Sequence, residues 1–123
     1  MVGLKMIGKS GDLEEFREGV QRCMRCGLCV ALCPTWESVG WESGSPRGRM
    51  QIIKALLESR VTANNLVMNR MYNCTLCGYC LWRCPPGVET TEAIKAARAL
   101  LVKKNLFPKV VEDLDKTVRE SRN

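Results

Sequence analysis

The chain has no histidine, no Cys-Cys pair and no G-x-G-x-x-G stretch. Each absence removes a class of function. Without histidine, and with no nucleophile–base pair in view, an acid–base or nucleophilic active site is not expected. Without the glycine fingerprint there is no sign of a built-in flavin or nicotinamide fold. No stretch approaches the ~18 consecutive apolar residues of a membrane span. The first eleven residues carry Lys5 and Lys9 and no apolar run of signal-peptide length. The expected location is therefore the reducing cytoplasm, where clustered cysteines hold metal more often than disulfides. Nowhere do apolar and polar residues alternate as they do in a half-buried strand.

What the chain does have is eight cysteines in 123 residues, all inside one motif that occurs twice. The first copy is Cys23-Met24-Arg25-Cys26-Gly27-Leu28-Cys29-Val30-Ala31-Leu32-Cys33-Pro34, and the second is Cys74-Thr75-Leu76-Cys77-Gly78-Tyr79-Cys80-Leu81-Trp82-Arg83-Cys84-Pro85. Both read C-x-x-C-G-x-C-x-x-x-C-P, and each cysteine of the second lies 51 residues after its counterpart. This is the bacterial-type iron–sulfur spacing.

A cubane cluster needs four thiolates, one for each iron. A C-x-x-C-x-x-C loop winds tightly enough to offer three, so the fourth comes from elsewhere. In two-cluster ferredoxins it is the last cysteine of the other motif. The expected ligand sets are thus Cys23, Cys26, Cys29 and Cys84 for one 4Fe-4S cluster, and Cys74, Cys77, Cys80 and Cys33 for a second. Gly27 and Gly78 hold matching positions, where a glycine permits positive φ or close approach of the backbone to sulfur. Pro34 and Pro85 lead the chain away from each loop.

Other chemistries fit less well. Zinc takes C-x-x-C pairs but seldom needs a third cysteine at the same spacing and a fourth three residues on. A zinc-stabilised module binding nucleic acid through basic surface is thus a remote alternative. Radical chemistry on S-adenosylmethionine normally uses C-x-x-x-C-x-x-C, which neither copy has. The formal charge of +6 does not by itself argue for nucleic acid. Two clusters with their thiolates would contribute roughly −4, so part of the positive charge is counter-charge.

Residues 1–11 read as a flexible lead-in. Asp12-x-x-Glu15 is a capping-box-like helix start, with Leu13, Phe16 and Val20 on one apolar face; Glu14, Glu15 and Glu18 form its solvated face. Residues 35–45, with Gly40, Ser43, Gly44 and Ser45, read as a loop. Ser45-Pro46 starts a helix to about Ser59, with Met50, Ile53 and Leu57 buried. Arg47 and Arg49 oppose the dipole of its first turn, so Glu37, Glu42, a cluster or an acidic partner should offset them. Thr62 or Asn64 caps a shorter helix with Leu66, Val67 and Met71 inward. Thr90 or Thr91 opens another, to about Lys104, with Ile94, Ala97 and Leu101 inward. After Phe107-Pro108, a last helix over roughly 109–120 carries Val111, Leu114 and Val118. Two readings stay open for Trp36, Trp41, Arg47 and Arg49: internal packing with pairing to Glu37 or Glu42, or a docking surface.

The two motifs, with a helical linker of 40 residues between Cys33 and Cys74, resemble the α-helical ferredoxin family. The resemblance narrows at Cys33-Pro34-Thr35, Ser45-Pro46-Arg47-Gly48-Arg49-Met50 and Cys84-Pro85-Pro86-Gly87-Val88-Glu89. These stretches are similar to the C subunit of heterodisulfide reductase and to the iron–sulfur region of glycolate and lactate oxidase iron–sulfur subunits. The resemblance implies an all-α fold with the two cysteine loops related by a pseudo-two-fold repeat. It would comprise a lead-in at 1–11, a ferredoxin domain at 12–106 and an amphipathic helix within 107–123. It implies a non-enzymatic electron-transfer subunit with no catalytic residues of its own. Its partners would be a catalytic subunit bearing a C-C-G domain and a flavoprotein. The alternative is a subunit of a 2-hydroxy acid dehydrogenase complex of glycolate or lactate type.

Overall fold

Helix α3 (Pro46–Leu57) begins where Ser45 Oγ accepts a hydrogen bond from the backbone N–H of Gly48 at 2.9 Å, with Pro46 in the first turn. The cap satisfies one of the orphan amides of that turn. The computed structural model describes residues 12–122, and among them every regular element is helical. The lead-in expected at 1–11 lies outside the described residues.

A short 3-10 turn (Leu13–Phe16), capped by Asp12, runs into α1 (Arg17–Gln21). Then follow α2 (Pro34–Val39), a 3-10 turn (Glu42–Gly44) and α3. Next come α4 (Asn65–Tyr72), capped by Asn64 through Val67 N–H at 3.0 Å, α5 (Tyr79–Arg83) and α6 (Thr90–Lys103). The last is α7 (Lys109–Ser121).

The core is one cluster. Met50 and Ile53 of α3, Val67 and Met71 of α4, and Ile94, Ala97 and Leu101 of α6 are all buried, with Leu13 and Val20 packed against them. Helix α6 packs on α3, α4, α5 and the first 3-10 turn. Its inward face is lined by Ala93, Ala96 and Ala97, whose small side chains let neighbouring backbones come close. Each fully buried Ile or Leu contributes on the order of 1.5–3 kcal/mol.

Gly48 is fixed by sterics. A Cβ there would sit 1.7 Å from the carbonyl oxygen of Glu42, so the 3-10 turn can lie against α3 only because residue 48 has no side chain.

Several expectations need correction. Part of the stretch read as a loop at 35–45 is helix α2: Pro34 occupies its first turn, and Gly40, with φ 65°, ends it. This is the ordinary proline-first, glycine-last pattern, masked by the serines and glycines around it. Leu66 is exposed rather than buried, because the inward face of α4 is set by Val67 and Met71. Leu57 is only partly buried. Helix α7 forms where expected, but none of its residues is buried; Val110, Leu114 and Val118 make an exposed apolar stripe.

Candidate metal centre

The two cysteine loops repeat their backbone conformation. Arg25 and Leu76 have φ of 59° and 57°, and Gly27 and Gly78 have φ of 81° and 82°. Cys33 and Cys84 match in both angles, at φ −76°, ψ 116° and φ −76°, ψ 112°. Two non-glycine residues in the left-handed region are costly. Their occurrence at corresponding positions ties that conformation to the motif. The copies then diverge: the second motif's third cysteine lies in the single turn α5, while the first motif passes through turns before α2.

Two cavities open between the loops and the helices. The first, of about 380 Å³ including space open to solvent, is lined by Cys23, Cys26, Cys29 and Cys84. The second, of about 340 Å³, is lined by Cys33, Cys74, Cys77 and Cys80, with Cys29 in the wall it shares with the first. The last cysteine of each motif therefore lies beside the first three of the other. All eight thiols are free, with Cys26 and Cys77 exposed and Cys33 and Cys80 buried. Among the described residues, no three His, Cys, Asp or Glu side chains form a group that could hold a metal ion; the sulfurs line walls instead of meeting at a point.

Helices α3 and α6 position both cavities. Arg47 and Met50 line the first, while Pro46 and Arg49 line the second. These are pairs at i, i+3 on adjacent faces of α3. Thr90 lines the first, and Thr91 and Ile94 the second. The N-terminal turns of both helices thus face the thiol-lined cavities, where partial positive charge favours an anionic occupant. At least four thiols around each cavity, two helix N-termini and a chain of net charge +6 make the residues present fit an anionic iron–sulfur cluster at each place.

The sulfurs have hydrogen-bond partners that differ between sites. Cys33 Sγ lies 3.2 Å from Thr35 Oγ1, and Cys80 Sγ lies 3.0 Å from Thr90 Oγ1. The N–H of Leu76 donates to Cys74 Sγ and that of Val88 to Cys84 Sγ, each at 3.4 Å. Burial pushes the Cys29 thiol up to about 11, helped by the nearby Cys80, Cys23 and Cys26. Burial also raises Cys80, against the Thr90 hydrogen bond. At Cys33 burial acts upward, but the Thr35 hydroxyl, the Trp36 and Thr35 amides and the Arg49 charge together bring the thiol below its usual value.

The arginines divide. Arg47 forms a bidentate pair with Glu42, at 2.6 Å and 3.0 Å, so Glu42 supplies one of the offsets expected from sequence. Arg49 is 1% exposed and donates to the Arg70 carbonyl at 2.7 Å and to Thr35 Oγ1 at 3.0 Å. It belongs to the interior and is no part of a docking surface, which corrects that reading for this residue. Arg98, which sequence reasoning passed over, donates to the carbonyls of Met71 and Cys74 and lies over the Tyr72 ring. Trp36 is half-buried. Trp41 is 59% exposed and stacks on the Arg70 guanidinium. Also missed were Met24, Leu28, Leu32 and Trp82, large apolar side chains exposed on the cysteine loops; local pattern gives no signal for them.

Residues 19–88, more than half of the chain, match the family model described as a 4Fe-4S dicluster domain. The chain belongs to the 4Fe-4S dicluster domain family. Among curated relatives, the probable glycolate oxidase iron-sulfur subunit of Bacillus subtilis is 33% identical over 93 residues, covering 71% of this chain and 21% of that protein. The iron-sulfur C subunit of the CoB–CoM heterodisulfide reductase of Methanopyrus kandleri is 32% identical over 96 residues, covering 78% of this chain and 46% of that one. The C subunit of the ferredoxin:CoB–CoM heterodisulfide reductase of Methanosarcina mazei is 33% identical over 88 residues, covering 72% and 50%. The dicluster chain thus spans about half of the heterodisulfide reductase C subunits and about a fifth of the glycolate oxidase protein. No solved structure matches it significantly. Among the described residues, no helix is long and apolar enough to cross a membrane.

Proposed function

We propose that this dicluster domain is an electron-transfer subunit that holds two 4Fe-4S clusters and works within a larger oxidoreductase complex. The observation that carries the reading is that each of two cavities is lined by the first three cysteines of one motif and the last cysteine of the other, with Cys29 alone in the wall they share. Cys23, Cys26, Cys29 and Cys84 would hold one cluster, and Cys74, Cys77, Cys80 and Cys33 the other. When bound, such clusters supply one-electron storage at a potential tuned by their surroundings. The chain's own contribution is to fix the thiolates in two loops, donate hydrogen bonds to the sulfurs and present the positive ends of α3 and α6. The crossed set ties the halves together, so assembly and folding are linked. We place residues 12–106 in the ferredoxin module and treat the following helix as separate from its core.

With every thiol engaged and no histidine in the chain, the domain itself carries no catalytic residues in this reading. The partners would be a catalytic subunit with a C-C-G domain, as in a heterodisulfide reductase-like complex, and a flavin-bearing or other redox subunit in the cytoplasm. A second reading, a subunit of a glycolate- or lactate-type 2-hydroxy acid dehydrogenase complex, is favoured by the likeness to the Bacillus subtilis protein. Anaerobically purified chain should contain about eight iron and eight sulfide. Stoichiometric zinc with negligible iron would overturn the proposal.

A further inference from the structure

The two cavities differ in charge. Arg49, in the wall of the second, is almost completely buried, and among the described residues no carboxylate pairs with it; its partners are a carbonyl and a hydroxyl. Arg47, in the wall of the first, is partly exposed and neutralised by Glu42. A buried cation keeps its field because little water screens it, whereas a paired surface cation loses most of its own.

The hydrogen bonds divide the same way. Arg49 donates to Thr35 Oγ1, and Thr35 Oγ1 lies 3.2 Å from Cys33 Sγ. A threonine hydroxyl has one proton. It also lies 3.2 Å from the Gly44 carbonyl, but a thiolate at Cys33 is the stronger acceptor and draws it. The guanidinium above the hydroxyl polarises that bond further. Cys80, in the same cavity, has the Thr90 hydroxyl, and Cys74 has the Leu76 amide. In the first cavity Cys84 has the Val88 amide and Cys29 its own backbone amide, with no side-chain hydroxyl on either sulfur among the described residues. Nearby positive charge and hydrogen bonds to sulfur both favour the reduced, more negative cluster.

We infer that Arg49, acting through Thr35, is a positioning residue of the second cavity and makes the cluster held by Cys33, Cys74, Cys77 and Cys80 the one of higher reduction potential. This rests on the ligand sets proposed above. The first electron from a low-potential one-electron donor then resides there: the donor loses one electron, the cluster gains it, and no covalent bond forms or breaks. The buried arginine thereby gives two sites of identical ligand type an unequal share of the electron.

The full-length protein, reconstituted anaerobically with iron and sulfide, decides this by potentiometric titration with dithionite followed by paramagnetic resonance. Iron and sulfide are counted first. A wild-type chain that takes up only one cluster overturns the proposed function and this inference with it; two clusters leave the inference to the titration. The wave moved by Cys77→Ser marks the second cavity and should be the higher one. In Arg49→Gln that wave should fall by at least tenfold in the one-electron equilibrium, about 59 mV, while the other moves less. Arg49→Lys, which keeps the charge, should retain most of the potential. Thr35→Val, nearly isosteric, should lower the same wave and decides the matter if Arg49→Gln does not assemble. Unchanged waves in the assembled variants, equal movement of both, or a lower-wave assignment for the second cavity would overturn the inference.

Discussion

Cys80 Sγ lies 3.0 Å from Thr90 Oγ1, both residues buried, which ties the second cysteine loop to the first turn of α6. A hydrogen bond to an ionised acceptor is worth more than a neutral one, about 1.5–3 kcal/mol. Thr90→Val keeps the shape and removes the donor. The cluster-loaded variant should lose about that much stability, and Thr90→Ser should recover most of it. Anaerobic thermal unfolding followed by iron absorbance measures both; equal midpoints for all three proteins would show that the hydroxyl does nothing for the thiolate.

The proposed crossing of the ligand sets makes a prediction that chain order alone would reverse. Cys33 follows the first loop closely, yet lines the cavity of Cys74, Cys77 and Cys80. Cys33→Ser should perturb the paramagnetic signal that Cys77→Ser perturbs, and Cys84→Ser the signal affected by Cys23→Ser. If Cys33→Ser and Cys23→Ser damaged the same signal, the crossing would be wrong.

Two glycines should respond differently to alanine. At Gly48 a Cβ would meet the Glu42 carbonyl oxygen at 1.7 Å, whereas at Gly87 it would meet nothing within 4 Å, though φ there is +70°. Gly87→Ala should cost about 1–2 kcal/mol from the left-handed backbone and retain its clusters. Gly48→Ala must displace the 3-10 turn from α3 and should cost more than about 3 kcal/mol, beyond the usual range for overpacking, with loss of iron. Circular dichroism and iron content on both variants give the comparison.

The Arg47 guanidinium beside Glu42 holds that carboxyl below its ordinary value of 4.5. A lowered folded-state pKa stabilises the fold above the ordinary value, and that contribution is lost as pH falls through the lowered one. Wild type should therefore lose stability relative to Glu42→Gln as the pH drops below about 4.5. The pair is exposed to solvent, so the difference should stay within about 1 kcal/mol and shrink with added salt. Denaturation midpoints of the two proteins across pH 3–7, at low and high ionic strength, test the sign.

The sequence alone carried the chemistry of the loops, because covalent spacing brings the first three cysteines of each motif together; which cavity the last cysteine joins was decided by the tertiary structure. The cysteines in C-x-x-C-G-x-C-x-x-x-C-P lie within a few residues of one another, and their loop conformation, repeated at Gly27 and Gly78, is a local matter. The starts of α3 and α4 were legible for the same reason: Ser45 and Asn64 accept from amides of their own first turns, whereas α6 starts at Thr90 with no side-chain cap, its hydroxyl meeting Cys80 instead. Burial was legible only in part: the periodic positions Met50, Ile53, Met71, Ile94 and Leu101 are buried as expected, but Leu66 is exposed and Leu57 only partly covered. Arg47 and Arg49 look alike in sequence, but two positions along a helix turn a side chain through about 200°. Only the packing of α3 against its neighbours sends Arg47 out to Glu42 and Arg49 in towards Thr35 and the Arg70 carbonyl. The exposure of Leu66 and Trp82 and the uncovered stripe of α7 were decided in the same way. A periodic apolar face states what a helix can bury; which surfaces the rest of the chain reaches is fixed by contacts distant in sequence.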